Sequence, residues 1–216
     1  MPFDIEKVKQ KLYAAVIADI LDELGYRNQV MTADIRPLDP QTVLVGHART
    51  MLAVPEFSTP AQPYDKQIDA TDALRPGEVV VAHLSGVTDS AFWGELFSTA
   101  ARARGAVGAV MDGYVRDVRK IQTLDFSVFA AGIRPINSKG RCTVIAYDAP
   151  ITCGDVTVHP GDLIFGEIDG VVVIPQAVAG QVVARALEIA AKEHAMHTAL
   201  QAGSTLRGAW EKYGVL

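Results

Sequence analysis

Apolar residues recur at helical spacing near both ends of the chain, and short apolar runs fill the middle. The first stripe lies on one side of a helix that Asp4 can cap and Gly25 can end, and it consists of Ile5, Val8, Leu12, Val16, Ile20 and Leu24. The second stripe lies on a closing helix predicted over residues 176–201 and consists of Val182, Val183, Ala186, Leu187 and Ala190. Helices at both ends of a β-rich centre predict a layered α/β domain.

The β-rich centre contains short apolar runs between turn residues. Strands are predicted at residues 43–54, 79–83, 128–130, 143–147, 151–158, 163–165 and 171–174. Residues 55–63 are predicted to form a proline-punctuated loop that contains Phe57, and a short helix is predicted over residues 67–73. The tail, residues 204–216, carries Trp210 and Tyr213 and is apolar enough to dock on another surface.

The stretch of residues 93–117 is the part of the chain with the clearest chemical character. Gly94 and Glu95 precede a helical run, which Gly105 ends because glycine enters the left-handed conformation cheaply. The N-terminus of such a helix presents backbone N–H groups that have no partner within the helix, and these attract carboxylates. The pattern therefore favours an anionic ligand at the start of this helix.

A pair of charged residues follows this helix. A buried strand is predicted over residues 106–111, and it ends in Asp112-Gly113, a turn signal that would present Arg116 and Asp117 side by side. An Arg offers a planar fork that can hold a carboxylate or a keto oxygen, and an Asp offers a hard oxygen ligand for a divalent cation. Most Arg–Asp pairs are solvated salt bridges. The helix start predicted nearby makes this pair a stronger candidate for a functional site than an isolated Arg–Asp pair.

Composition and charge narrow the class of protein. At 216 residues the chain fits one domain, residues 1–216, with 49% apolar and 21% charged residues. The net charge of −5 argues against a nucleic-acid surface. No apolar run approaches the roughly 18 residues that a membrane span needs, and no signal-peptide pattern opens the chain. Cys142 and Cys153 are interpreted as buried free thiols in a reducing compartment, so we expect a cytoplasmic protein. Together with the net charge and the short apolar runs, this predicts a protein without membrane or nucleic-acid partners.

Other catalytic motifs are incomplete in this sequence. His194 and His197 are three positions apart, but the pattern H-E-x-x-H is absent, which favours a solvated helix end. Neither G-x-G-x-x-G nor G-x-S-x-G occurs. The lysines all stand among polar neighbours, whereas Schiff-base chemistry requires a desolvated lysine. Schiff-base catalysis is therefore not favoured.

An acidic residue, twenty intervening residues and then Arg-Asp, here Glu95 to Arg116-Asp117, resembles the signature of one superfamily. Its members are the ribonuclease E activity regulator A proteins and the metal-dependent 4-hydroxy-4-methyl-2-oxoglutarate / 4-carboxy-4-hydroxy-2-oxoadipate aldolases. The similarity extends over nearly the whole chain through ADIL and LG within residues 18–25, GHART at 46–50, PGD at 160–162 and DGVVVIP at 169–175. The chain departs at Glu95, where the aldolases carry Asp, and at Lys120, where many members are acidic.

The resemblance implies a fold, an assembly and an activity. The fold would be an αββα sandwich of the swivelling phosphohistidine-domain type, assembled as a homotrimer or homohexamer with active sites between subunits. The activity would be that of a Mg²⁺- or Mn²⁺-dependent lyase that cleaves 4-hydroxy-2-oxo di- and tricarboxylic acids, such as 4-hydroxy-4-methyl-2-oxoglutarate, to pyruvate. Loss of CO₂ from oxaloacetate gives the same enolate, so oxaloacetate decarboxylase activity is expected as well.

The resemblance also implies residue roles. Asp117 would be the one direct metal ligand, with waters completing an octahedron, and Arg116 would bind the keto oxygen that becomes the enolate oxygen. The substrate-binding residues would be Gly94, Glu95, Leu96, Phe97 and Arg116. Within this set, the backbone N–H groups of Leu96 and Phe97 would hold the C1 carboxylate, and Glu95 would orient a metal-bound water.

Further residues and functions are implied less directly. From a neighbouring subunit, Glu193 and one of Asp19 or Glu23 would complete the water network. The first alternative function is a regulator that binds ribonuclease E without catalysis, for which a basic cluster is the candidate surface: Arg134, Lys139 and Arg141. The second alternative is a related metal-dependent lyase or decarboxylase that acts on another oxo acid.

Overall fold

The computed structural model describes residues 3–215. The helices are α1 (Ile5–Lys11), α2 (Ala14–Glu23), α3 (Asp65–Asp72), α4 (Glu95–Ala103), α5 (Val118–Ile121), α6 (Ala179–Gln201) and α7 (Leu206–Tyr213). The strands are β1 (Arg36–Pro37), β2 (Leu44–Pro55), β3 (Glu78–His83), β4 (Ala91–Trp93), β5 (Gly108–Val115), β6 (Ser127–Ile133), β7 (Cys142–Tyr147), β8 (Ile151–Cys153), β9 (Val156–Val158), β10 (Leu163–Glu167) and β11 (Gly170–Ile174).

One mixed sheet organises these elements. Its strands follow the order β1-β6-β5-β3-β2-β10-β11, with β4 added to β5 and β7 added to β2. The pairings of β2, β3, β4, β5 and β6 along this centre are parallel, and the remaining pairings are antiparallel. The sheet curves so that its two edge strands approach each other, and Arg36 on β1 donates from Nη1 to the carbonyl of Asp169 beside β11 at 3.0 Å. The mixed α/β class is confirmed, in the form of a nearly closed, barrel-like sheet.

Successive side chains along the central strands point to opposite faces of the sheet. Val79 and Val81 of β3 face a core that the β8–β9 hairpin covers, whereas Val80 and Ala82 face a core shared with α3, α4 and α5. A third core packs α1, α2 and α6 on β10 and β11. The second of these cores supports the site, because α4 and the end of β5 meet there.

The single N-terminal helix that the apolar stripe predicts is wrong: two helices, α1 and α2, occupy this segment. Asp4 caps α1 as expected, since its carboxylate accepts from the N–H groups of Glu6 and Lys7. The chain then becomes extended at Tyr13. The N–H of Ala14 donates to Oε1 of Glu167 at 2.6 Å. A long-range hydrogen bond therefore starts a new helix where the local pattern continues unbroken.

The turn predicted at Asp112-Gly113 is also wrong, because β5 continues through both residues to Val115. The Asp112 carboxylate binds the end of β3 instead: Oδ1 accepts from the N–H of Leu84, the residue after the strand, at 2.7 Å, and Oδ2 lies 2.5 Å from Nδ1 of His83. The register with β6 shifts between Met111 and Tyr114, where the strand is irregular. The change of direction comes later, at Asp117.

The remaining predictions are confirmed in part. The strand predicted over residues 151–158 is a hairpin of two short strands, β8 and β9. The tail docks as expected: Ala209 and Val215 are buried with Met196 and Tyr213 packs against them, while Trp210 remains 47% exposed. Leu216 lies outside the described residues. Cys142 and Cys153 are buried free thiols, as predicted. Within residues 3–215, every helix is too short or too polar to span a bilayer.

Candidate active site

The start of α4 is anchored by the buried side chain of Trp93. Its indole Nε1 donates to Oγ of Ser98 at 2.9 Å, and that hydroxyl donates to the carbonyl of Gly94 at 3.0 Å. Trp93 also stacks on Phe97, with ring centroids 5.3 Å apart. Because Trp93 is only 1% exposed, these contacts fix the first turn of α4 to the sheet.

The parallel pairing of β4 with β5 brings the end of β5 to this helix start. The N–H of Arg116 donates to the carbonyl of Trp93 at 3.0 Å. Asp117 follows in the left-handed conformation, with φ 62° and ψ 29°, which Asp adopts more readily than most residues. This conformation turns the chain from β5 into α5 and directs the Asp117 carboxylate back toward α4.

The Asp117 carboxylate contacts both the helix start and its neighbouring guanidinium. Its Oδ2 accepts from the N–H of Glu95 at 3.3 Å and lies 3.6 Å from Nε of Arg116. Both side chains are partly exposed, at 36% for Arg116 and 40% for Asp117. The Arg116 guanidinium, the Asp117 carboxylate and the N-terminus of α4 therefore lie next to one another.

Further N–H groups at this point are unused. Among the N–H groups of the first turn of α4, that of Glu95 contacts Asp117, while those of Leu96 and Phe97 have no acceptor within the helix. Such groups carry the positive end of the helix dipole and suit a carboxylate ligand.

These residues line a cavity of about 410 Å³. Arg116 and Asp117, beside Gly94, form its charged part. An apolar wall borders them and consists of Ile68, Leu96, Phe97 and Ala100. A third, polar part comes from Tyr64, Asn137 and Ser138. Sequence reasoning missed this third part, since Tyr64 precedes α3 and the other two residues lie in the loop after β6.

The side chain of Glu95 does not belong to the lining of this cavity. Its Oε1 accepts from the hydroxyl of Thr99 at 3.1 Å, one turn further along α4. Within this chain, Glu95 therefore offers the site its backbone N–H, which holds Asp117.

The three acidic residues expected to act from a neighbouring subunit lie elsewhere in the chain. Glu193 lines a separate groove of about 690 Å³ between α1 and α6, and burial raises the pKa of its carboxyl. Glu23 pairs with Arg185, and Asp19 is exposed on α2. None of the three lines the Arg116–Asp117 cavity, so any role there requires a second copy of the chain.

The cavity offers a divalent cation one carboxylate that, among the residues described, has no paired arginine other than its neighbour Arg116. Within residues 3–215, no three His, Cys, Asp or Glu side chains come together as a metal cage. The cavity lining contains two carboxylates, and Asp72 is already paired with Arg104 at 3.0 Å. Asp117 thus stands alone beside Arg116. One carboxylate, with waters and substrate oxygens as the other ligands, fits Mg²⁺ as proteins commonly hold it.

The fold and the site together define a mixed α/β protein that has a barrel-like sheet and a cavity lined by Arg116 and Asp117 beside β4 and β5. The chain belongs to the RraA-like family, because the family model described as Aldolase/RraA matches residues 14–173. Over 184 residues it is 33% identical to a Halalkalibacterium halodurans protein named provisionally as a 4-hydroxy-4-methyl-2-oxoglutarate aldolase, with 85% of this chain and 82% of that protein covered.

Two further relatives widen the comparison. Protein DlpA of Legionella pneumophila is 31% identical over 200 residues, which cover 93% of this chain but 32% of DlpA. The chain thus spans about a third of that protein's length. The structure of Streptomyces coelicolor RraAS2, described as an unusual member of the RNase ES inhibitor RraA protein family, superposes with a TM-score of 0.81 at 25% identity. That match covers 90% of this chain and 96% of RraAS2.

Proposed function

We propose that the protein is a divalent-metal-dependent carbon–carbon lyase that cleaves 4-hydroxy-2-oxo acids to pyruvate and also decarboxylates oxaloacetate. The observation that supports this most directly is the convergence of Arg116, Asp117 and the N-terminus of α4 on one cavity. The name of the Halalkalibacterium relative points to the same substrate class.

The residues of the chain have complementary tasks in this reaction. The free N–H groups of Leu96 and Phe97 bind the C1 carboxylate, and the Arg116 guanidinium donates to the adjacent keto oxygen. When the C3–C4 bond breaks, its electron pair moves into the pyruvate enolate and the keto oxygen gains negative charge. Arg116 stabilises that charge, an effect that is usually the largest single contribution to such a rate.

Asp117 would hold the metal ion. When bound, a divalent cation supplies Lewis acidity beside the keto group. The C4 hydroxyl must also lose a proton as the new carbonyl forms. Among residues 3–215, the cavity lining contains no histidine or lysine, so we infer that a water molecule held near Asp117 takes this proton.

The experiment measures enolate formation directly. Exchange of the pyruvate methyl protons in D₂O and pyruvate release from oxaloacetate and 4-hydroxy-4-methyl-2-oxoglutarate are followed with EDTA and after Mg²⁺ or Mn²⁺ is restored. All three reactions are expected to stop with EDTA and to return with metal. Full activity in the metal-free protein would overturn the proposal.

Asp117→Asn is the informative variant, because Asn tolerates the left-handed conformation that Asp117 adopts, whereas Ala would add backbone strain. It is expected to lose metal-dependent activity while keeping its melting temperature. Asp125→Asn, on an exposed position outside the cavity lining, is the matched control and is expected to behave as the parent protein.

A second candidate function is inhibition of an RNase E-type enzyme, favoured by the likeness to RraAS2. The proposed contact surface is the basic cluster. Arg134 and Arg141 each donate to a backbone carbonyl, of Thr88 and Asn137 respectively, and Lys139 is exposed. Inhibition of RNA cleavage by the Asp117→Asn variant as strongly as by the parent would identify this function as independent of the metal site.

We further propose that the active form is a homotrimer or homohexamer in which Glu193 and one of Asp19 or Glu23 reach the cavity of a second copy. Light scattering measures the mass. A mass of one chain at micromolar concentration, with full lyase activity, would exclude any contribution from a partner.

A further inference from the structure

We infer that Tyr64, Asn137 and Ser138 form a neutral subsite, which binds the departing half of the substrate and favours an uncharged oxygen function there over a second carboxylate. The inference rests on the proposed lyase activity and narrows its substrate class, so that 4-hydroxy-4-methyl-2-oxoglutarate, which has a C5 carboxylate, becomes a weaker substrate than an analogue with a C5 hydroxyl. The preferred substrates are 4-hydroxy-2-oxo acids whose far end carries a hydroxyl group.

The amide of Asn137 has a defined orientation. Its Oδ1 accepts from the backbone N–H of Lys139 at 2.9 Å and from the Tyr64 hydroxyl at 2.6 Å. A backbone N–H can only donate, so the atom that it contacts must be the amide oxygen. The Nδ2 group is therefore the other atom, and its two N–H bonds donate to no residue within 3–215. They are available to a ligand oxygen.

Ser138 adds a second polar group to the subsite. The residue as a whole is only 5% exposed, yet it lines the cavity. Its backbone carbonyl accepts from Arg141 and Cys142. Its hydroxyl oxygen is not among the fully buried side-chain atoms without a partner within residues 3–215, so it is accessible from the cavity. A hydroxyl can both donate to and accept from a ligand oxygen.

Strand β4 sets the spacing between this subsite and the charged part of the cavity. At one end of the strand, Ala91 bridges to Asn137; at the other, Trp93 accepts the N–H of Arg116. Two residues of extended chain separate these contacts by roughly 7 Å. Arg116 and Asn137 both line the same cavity, and this backbone spacing is of the same order as the length of a small oxo acid.

Tyr64 is positioned by the tertiary structure and not by its own loop alone. Gln67, one turn further on in α3, is buried and donates from Nε2 to the carbonyl of Phe92 in β4 at 3.1 Å. This contact fixes the start of α3 beside β4. The Tyr64 hydroxyl donates its hydrogen to Oδ1 of Asn137, so toward a ligand its oxygen acts as an acceptor.

The charge around the subsite argues against a second carboxylate. Arg116 is the one cation in the cavity lining among residues 3–215, and it belongs to the keto-acid end. Lys120, Lys139 and Arg141 lie outside that lining, and Arg141 already donates to the carbonyl of Asn137. A carboxylate here would lose water without gaining a cationic partner. A hydroxyl can both donate to Tyr64 and accept from Asn137 or Ser138.

The test compares two substrates that differ only at C5: 4,5-dihydroxy-2-oxopentanoate, which releases glycolaldehyde, and 4-hydroxy-2-oxoglutarate, which releases glyoxylate. We expect kcat/KM to be about tenfold or more higher for the C5 hydroxyl compound, because a C5 carboxylate has no proton to donate to the Tyr64 oxygen and loses water without gaining a cationic partner. Equal values, or a preference for the C5 carboxylate, overturn the inference.

Binding without turnover gives a second readout. Dissociation constants for 5-hydroxy-2-oxopentanoate and 2-oxoglutarate, which lack the C4 hydroxyl and cannot be cleaved, should show the same preference. If neither cleavage nor pyruvate exchange occurs but this preference is present, the lyase proposal fails and the subsite stands. If exchange occurs and the preference is absent, the subsite fails and the lyase stands.

Two variants locate the preference. Asn137→Asp keeps the oxygen that Tyr64 and Lys139 contact but replaces both free N–H donors with a negative oxygen, and Ser138→Ala removes the free hydroxyl. Both should lower kcat/KM for the C5 hydroxyl compound far more than the rate of pyruvate exchange. An equal fall in both rates would indicate a merely structural role and overturn the assignment. Gln41→Glu, an exposed change of the same charge, is the control and should leave both unchanged.

Discussion

Gly94 and Asp117 pack so closely that no side chain fits between them: a Cβ atom on residue 94 would lie 2.7 Å from Oδ2 of Asp117. The backbone of Gly94 is extended, with φ −161°, so its conformation alone would accept any residue. Space is therefore the reason for glycine here. The Asp117 carboxylate occupies the position that a side chain at residue 94 would need.

The first prediction follows from this contact. Gly94→Ala is expected to displace the Asp117 carboxylate and lower lyase turnover roughly 100-fold, the cost typical of a misplacement of about 1 Å at a reacting centre. The melting temperature should change little, because the carboxylate is partly exposed and can move. Gly208→Ala, in α7 and outside the cavity lining, is the control. Parental turnover in Gly94→Ala would show that the position of Asp117 does not matter.

The second prediction concerns the carboxyl of Glu167, which accepts the first N–H of α2. Burial raises its pKa above the ordinary value of 4.5, and Asp169 adds to the rise, while the N–H of Ala14 opposes it. The folded protein thus holds this proton to higher pH than the unfolded chain. The contribution of Glu167 to stability is fully present below about pH 4.5 and is lost as the pH rises through the folded pKa.

Glu167→Gln keeps an oxygen for Ala14 and removes the ionisation. Its advantage in melting temperature over the parent protein should therefore be larger at pH 7 than at pH 4.5. Glu167→Ala removes the acceptor and should cost about 1 kcal/mol, as the loss of a helix N-cap does. An advantage of Glu167→Gln that is the same at both pH values would contradict the raised pKa.

The third prediction concerns the two thiols. Burial raises the pKa of Cys142 to about 12, with a smaller contribution from Asp89, and burial raises the pKa of Cys153 as well. The thiolate is the reactive form. Iodoacetamide at pH 8 should therefore modify neither residue in the folded protein and both in urea, as mass spectrometry would report. Rapid labelling of Cys142 without urea would indicate that β7 opens readily.

Local patterns predicted one part of the site and missed another, and the reason is sequence separation. The start of α4, the strand β5 and the Arg116-Asp117 pair lie within one short stretch, where caps and apolar runs are informative. Tyr64 and Asn137 are 73 residues apart, and no pattern in the sequence links them. The break between α1 and α2 has the same origin, since Glu167 acts on Ala14 across 153 residues.

The last prediction separates a catalytic Arg116 from a structural one. Arg116→Lys keeps the positive charge but loses the planar fork, so it cannot hold the keto oxygen in one fixed geometry. Loss of one preorganised donor to a developing oxyanion typically costs about 3–4 kcal/mol, or roughly 10²–10³ in rate. An Arg that only pairs with Asp117 at the surface would contribute about 0–1 kcal/mol to stability and nothing to the chemistry.

Oxaloacetate decarboxylation and thermal melting, measured on the same Arg116→Lys sample, distinguish the two roles. We expect the rate to fall by the larger factor while the melting temperature stays close to that of the parent protein. Arg119→Lys, an exposed change of the same type two residues after Asp117, should alter neither quantity. A rate for Arg116→Lys within about threefold of the parent, with a lower melting temperature, would mean that Arg116 supports the fold and that another group stabilises the enolate.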